Sequence, residues 1–447
     1  MTAGMKISAP GYSKVQSPAT KPFFARAQNI IQRTPAPPTV IPRGTNPGDC
    51  MGAICQRLNK MRLPGTVAEA NTIVDNWVAD SISCLHTYAP NSNASHQQEI
   101  VQNAEAELQG EAASSKGYIT QITPNASGFR DFMEDLRRIC ERKQREISIE
   151  FRYNIVFDNS GLVWGYSPAT DWDAIEGAFA GLPAESTWLS PRLLTFRREH
   201  VHATNPDVAG ETDQKTATIT IFDQGFGNLP FSRSKATGIP STTQTIQHEV
   251  GHIMTNLIPR SEFNDFFDNI LHWRSYPWAW ITASASPYPN WQAERKALIT
   301  ETGMTSAQLD TWLGTLPMNK RINRNNRSFF RGDNFLEAYD MDQVPTIPAF
   351  EYAASNKDDY LSELYTFCSS NPEFVHDNLP QKQIVWLKTS VFHTPATAGE
   401  LSKMYALNEP QQTQFILNAS RKFTWEQIND VWQQVMVRNR RAAGQLA

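Results

Sequence analysis

The chain has 447 residues, 40% of them hydrophobic and 11% aromatic, which is enough to bury a large core and, by length, to form about two or three domains. Its formal charge of −4 offers no basic footprint for a phosphate backbone, which argues against nucleic acid as a main partner, and no apolar run reaches membrane-spanning length. The five cysteines, Cys50, Cys55, Cys84, Cys140 and Cys368, form no zinc-ribbon spacing, and their odd number argues against a closed disulfide framework, so a reducing compartment is expected during folding.

Residues 1–47 are rich in Pro, Thr and Ala and carry neither helical nor strand periodicity, so they read as a disordered leader. They also lack the apolar run of a secretory signal, and the expectation is synthesis in the cytoplasm without a signal peptide. From 48 to 149 the pattern is helical. "GTVAEANTIVDNWVADSISCLHTY" and "SGFRDFMEDLRRICERKQREI" repeat apolar residues at steps of three and four, as a small helical region does. From residue 150 onward the pattern becomes α+β. "ISIEFRYNIVF" alternates like a half-buried strand, "DWDAIEGAFAGLPAESTW" reads as a helix, and "RLLTFRRE" and "KTATITIFDQ" read as strands. A helix around residue 245 follows, with Ser241 or Thr242 as its cap and Pro259 as its stop. Phe263 to about Met341 reads as irregular and Trp-rich with helical patches, and Ala353 to the end as mostly helical, closing on "TWEQINDVWQQVMVRNRR".

The informative stretch is "TIQHEVGHIMTNL". On a helix, His248 and His252 share a face four residues apart, so both imidazoles can reach one ion. Glu249 points about 100° away from His248, outside the coordination sphere yet near enough to deprotonate a water on that ion. This is the zinc motif HExxH. The competing reading is an amphipathic helix with Ile246, Val250, Ile253 and Leu257 in the core and both histidines in water. The β-branched "TATITIFD" just before it favours the zinc site, because an edge strand near Thr218–Phe222 could pair with an extended peptide. Gly251 costs the helix about 1 kcal/mol against Ala, which is tolerable where something approaches the backbone closely.

A catalytic zinc takes three protein ligands and keeps one open position. "FEYAASNKDDYLSELYTF" supplies candidates in Asp358, Asp359 and Glu363, on a helix that Ser355 or Asn356 could cap. With HExxH upstream, the segment Tyr352, Asn356, Asp359, Glu363 resembles the catalytic domain of toxin metallopeptidases of the anthrax lethal factor type, over about 120 residues from Thr242 to Phe367 and with a longer insertion between the motifs. The resemblance implies a zincin-like metallopeptidase fold for 150–447, with Zn2+ as cofactor and a protein or peptide substrate. It implies Asp359 as third ligand, Glu363 as a supporting carboxylate and Tyr352 as an aid to the oxyanion. Asp stands where those proteins carry Glu; being one methylene shorter, it leaves Glu363 open as an alternative ligand. Other readings stay beside these: Asp359 as the N3 residue of a helix start, Tyr352 and Tyr360 as core aromatics, and His200 with His202 as a structural or surface pair.

The leader, "KPFFARAQNIIQRT" followed by a Pro-rich spacer, resembles the start of proteins carried by extracellular contractile injection systems. That resemblance implies a toxin or effector that is exported or injected, with an injection-system tube or particle as partner. The alternative is a structural or cargo protein of such a particle whose metal site is vestigial.

Overall fold

The computed structural model describes residues 46–88, 96–161, 163–164, 172–182, 186, 192–226, 238–282, 287–345, 350 and 353–387. The expected leader up to residue 45, the expected closing helix and Tyr352 therefore lie outside the described residues.

Four helices come first: α1 (Pro47–Lys60), α2 (Val67–Tyr88), α3 (Gln97–Ile119) and α4 (Ala126–Tyr153). Asn46 caps α1 by accepting a hydrogen bond from the Gly48 N–H, with Pro47 in the first turn, so the first helix begins inside the stretch expected to be leader. The helices share a core that includes Met51, Trp77, Leu85, Ile100, Leu108, Phe132 and Leu136. Disulfides Cys50–Cys84 and Cys55–Cys140 tie α1 to α2 and to α4. The expectation drawn from an odd cysteine count is thereby corrected: four residues pair, and Cys368 stays outside the framework, buried elsewhere.

The strand expected at "ISIEFRYNIVF" is also corrected. Helix α4 runs through Tyr153, crossing the expected boundary near 150, and only Ile155–Asp158 forms a strand, β1. The apolar alternation has a helical origin. Ile147 and Phe151, four apart, belong to the helical core, whereas Ile149 and Tyr153, also four apart, belong to the core of the following region. Two buried helical faces offset by two residues imitate the period of a strand. Asn154 in the left-handed conformation (φ 55°) then turns the chain into β1.

The first sheet joins β1 to β2 (Leu194–Glu199), β4 (Thr218–Phe222) and β3 (Gly210–Asp213), in the order β1-β2-β4-β3. β1, β2 and β4 are parallel, and β3 pairs antiparallel with β4, so Thr218–Phe222 lies inside the sheet and β3 is the edge. This corrects the expected edge strand. A helix, α5 (Trp172–Ala180), and a short one, α6 (Asp223–Phe226), precede the long α7 (Ser241–Leu257). Pro240 rather than a hydroxyl residue stands at the N-cap of α7.

The Trp-rich stretch is more regular than its sequence suggests. A short helix α8 (Arg260–Asn264) runs into a π turn at Asp265–Ile270. Then β5 (Arg274–Pro277), β6 (Arg321–Arg324), β7 (Arg327–Arg331) and β8 (Phe335–Asp340) form an antiparallel sheet in the order β5-β8-β7-β6. Between β5 and β6 lie α9 (Trp278–Thr282), α10 (Trp291–Thr302) and α11 (Ser306–Thr315), which with the sheet enclose a separate core around Tyr276, Leu298, Leu309 and Phe329. The chain returns through α12 (Lys357–Ser370), packed along α7, and ends its described part with α13 (Pro372–Asn378) and α14 (Gln381–Trp386). The architecture is mixed α+β with two small sheets.

Candidate metal centre

Helix α7 packs against α5 on one side and α12 on another, and its polar residues face inward. His248 and His252 are 1% and 2% exposed, which contradicts the reading of an amphipathic helix with its histidines in water. Their rings stand nearly perpendicular at 87°, with the two Nε2 atoms 3.1 Å apart.

Asp359 comes from α12. Asn356 is the N-cap there, its side-chain oxygen accepting the Asp359 N–H at 2.8 Å. The Asp359 carboxylate turns one oxygen, Oδ2, back to Ser355 Oγ (3.0 Å) and to the Asn356 amide. The other, Oδ1, lies 3.6 Å from His248 Nε2 and 3.4 Å from His252 Nε2 and accepts no hydrogen bond. Oδ2 thus serves the helix start, while Oδ1 stands where the ligand reading of Asp359 would need it.

These three atoms can be tested against a metal. A tetrahedral zinc with bonds of about 2.0–2.2 Å holds its ligand atoms about 3.4 Å apart. Separations of 3.1, 3.4 and 3.6 Å bracket that value, and a point about 2 Å from all three atoms satisfies them. The donor set of two imidazoles and one carboxylate suits zinc, and among the described residues no other group of His, Cys, Asp and Glu converges in this way.

The far side of each ring is also held. Glu363 Oε1 lies 3.3 Å from His248 Nδ1, and Ser362 Oγ lies 3.1 Å from His252 Nδ1. Both contacts engage Nδ1 and leave Nε2 toward the centre, the usual way a protein orients a metal-binding imidazole. Glu363 therefore faces the back of His248 rather than the centre, and its other oxygen accepts the Gln244 amide at 3.4 Å. Asp358 is exposed, and Tyr360 is a core aromatic whose hydroxyl donates to Gln383. His200 and His202 fall just beyond β2 with separate partners: exposed His200 pairs with Asp223, and His202 with Glu211.

Close approach of α7 and α12 depends on Gly251. A Cβ on it would lie 2.8 Å from the Ser362 Cα, so no other residue fits without moving α12.

Burial would lower the pKa of His248, but its contacts with Asp359 and Glu363 carry it up to about 10. Burial would likewise raise Asp359, yet the two histidines hold its carboxyl well below the ordinary range. Glu249, fully buried, is pushed upward by desolvation against the pull of His252, His248 and Thr212. Perturbations of this kind gather where groups of opposite and like charge are forced together.

Thr212, Ser362 and Gln244 belong to the site and carry no signal in the sequence. Their roles come from how β3 and α12 meet α7, which no spacing along the chain encodes. No family model, no curated protein and no solved structure matches the chain.

Proposed function

We propose that the protein is a zinc-dependent endopeptidase of the zincin class, with zinc held by His248, His252 and Asp359. The observation that carries this reading is the convergence of three buried donor atoms at tetrahedral spacing, beside a carboxylate that is not among them. When bound, zinc lowers the pKa of a water and polarises a peptide carbonyl. Glu249 takes the proton of the attacking water and returns it to the leaving amine; its Oε1 is buried and unpartnered, so one oxygen is available for that work. Glu363 and Ser362 keep the imidazoles turned toward the metal. The backbone of edge strand β3, paired on one side with β4 among the described residues, suits the binding of an extended peptide. A role as toxin or effector, with a contractile injection particle as partner, rests on the resemblances of the sequence.

A second reading has its own observation. His248, Glu249, His252 and Asp359 are all at most 4% exposed. A closed site of this kind suits a structural metal, whereas a peptidase must open it to admit a carbonyl. Two measurements separate the readings: zinc stoichiometry of the wild type against His248→Ala, and cleavage of denatured casein by the wild type against Glu249→Gln. The peptidase reading expects one zinc lost in His248→Ala and turnover lost in Glu249→Gln with its zinc retained. Stoichiometric zinc without turnover by the wild type would favour the structural reading.

A further inference from the structure

Edge strand β3 meets α7 through two side-chain positions, Gly210 and Thr212, which are buried while Glu211 and Asp213 between and beyond them are not. Both positions face Glu249. The Thr212 hydroxyl lies 2.8 Å from Glu249 Oε2 and 3.0 Å from the Glu249 carbonyl oxygen. It is the hydrogen bond that the carboxylate of Glu249 receives from the protein among the described residues. Two positions earlier there is no side chain: a Cβ on Gly210 would sit 2.8 Å from Glu249 Cγ and 2.9 Å from Oε1.

We propose that Thr212 and Gly210 form the slot that positions Glu249, the hydroxyl anchoring Oε2 and the missing Cβ making room for the rest of the side chain, so that Oε1 stays free. The inference rests on the peptidase reading above, in which Glu249 is the base. A glutamate has three side-chain torsions, and a base that accepts a proton and then returns it must keep one oxygen on the reacting line throughout. Fixing Oε2 leaves Oε1, which is buried and accepts no hydrogen bond, as the oxygen for that task. Thr212 acts through Glu249 and is a positioning residue.

The test uses the full-length, zinc-loaded protein with fluorescein-labelled casein. Thr212→Val keeps the shape and removes the hydroxyl, so kcat should fall about 10- to 100-fold, the scale expected for a misplacement of about an ångström, with KM and zinc stoichiometry unchanged. Thr212→Ser should recover most of the rate, which a loss of packing alone would not allow. Gly210→Ala should show the same signature, low kcat with full zinc, because its methyl group occupies the space of the Glu249 side chain. Wild-type kcat in Thr212→Val, where Glu249→Gln is inactive, would overturn this inference and leave the peptidase reading standing. Full activity in Glu249→Gln, or none in the wild type, would remove both at once.

Discussion

Gly251→Ala tests the geometry of the centre without touching a ligand. In an isolated helix the change would stabilise by about 1 kcal/mol, because alanine is the better helix former. In this protein the new methyl carbon would lie 2.8 Å from the Ser362 Cα and 3.1 Å from the Ser362 Cβ and O, whereas ordinary carbon contacts begin at about 3.5 Å. Helix α12 must then back away by about 0.7 Å. Asp359 lies less than one turn before Ser362 on the same helix, so its Oδ1 would move from 3.4 and 3.6 Å to about 4 Å from the two Nε2 atoms, beyond the spacing that suits zinc. Overpacking at such a contact costs about 1–3 kcal/mol, which matches or exceeds the gain in propensity. The expected outcome is a metal-free protein no more stable than wild type, and up to about 2 kcal/mol less so, with zinc affinity lower by tenfold or more. Denaturant unfolding of the chelator-stripped protein reads the first quantity, and competition with a chromogenic chelator reads the second. A variant about 1 kcal/mol more stable than wild type with unchanged zinc affinity would refute the close crossing of α7 and α12.

Asp359→Ala should lose zinc on dialysis, whereas Glu363→Ala should retain it with affinity reduced about 10- to 100-fold, because Glu363 faces the back of His248; metal analysis reversing that order would exchange their roles. Glu337, on β8 of the second sheet, is buried, and desolvation lifts its pKa from 4.5 to about 7 despite hydrogen bonds from Ser275 and Trp273. The folded state therefore binds the proton more tightly than the unfolded state does, so stability is lost as pH rises from about 4.5 to about 7, on the order of 3 kcal/mol from this one group. Glu337→Gln should remove that loss, and equal pH slopes for variant and wild type in denaturant melts between pH 5 and 8 would count against it. Reducing Cys50–Cys84 or Cys55–Cys140, which close loops of 34 and 85 residues, should destabilise the helical region by about 3–5 kcal/mol for each bond lost, and thiol titration of the unfolded, unreduced chain should find one reactive cysteine.

What could be read from the sequence follows from the range over which each feature is determined. His248, Glu249 and His252 were readable because helix geometry alone fixes their relation, and the helix itself shows in the residues around them. Asp359 lies more than a hundred residues away, so the residues alone offered it only beside Asp358 and Glu363, and the resemblance in the segment Tyr352 to Glu363 singled it out. Thr212 was out of reach because "GETD" becomes meaningful only once it pairs with Thr218–Ile221 and is laid against α7. The same limit explains the misplaced edge: strand content in "TITIF" is local, but which strand ends a sheet depends on partners contributed from elsewhere. The misread end of α4 has a different cause. Its residues obey a helical period twice over, once toward each of two cores, and the sum of the two patterns resembles alternation.

Asp359 and Gly251 are best understood together. An aspartate in the ligand position brings its carboxylate about one bond less far from its helix than a glutamate would, so the helix that carries it must lie closer to α7. A glycine where the two helices touch permits that approach, and Ser362, packed on Gly251, is also the residue that holds His252 from behind. On the proposed zinc reading, the short side chain of Asp359 and the absence of a Cβ at Gly251 complement each other. On this account Asp359→Glu alone pushes a longer side chain into a space already set for aspartate and weakens zinc binding, as Gly251→Ala alone does by opening the crossing. The combination of Gly251→Ala with Asp359→Glu, a wider crossing spanned by a longer ligand, should recover part of the affinity lost in either single variant. Losses that merely add in the double variant would show that the helix spacing and the ligand length are set independently.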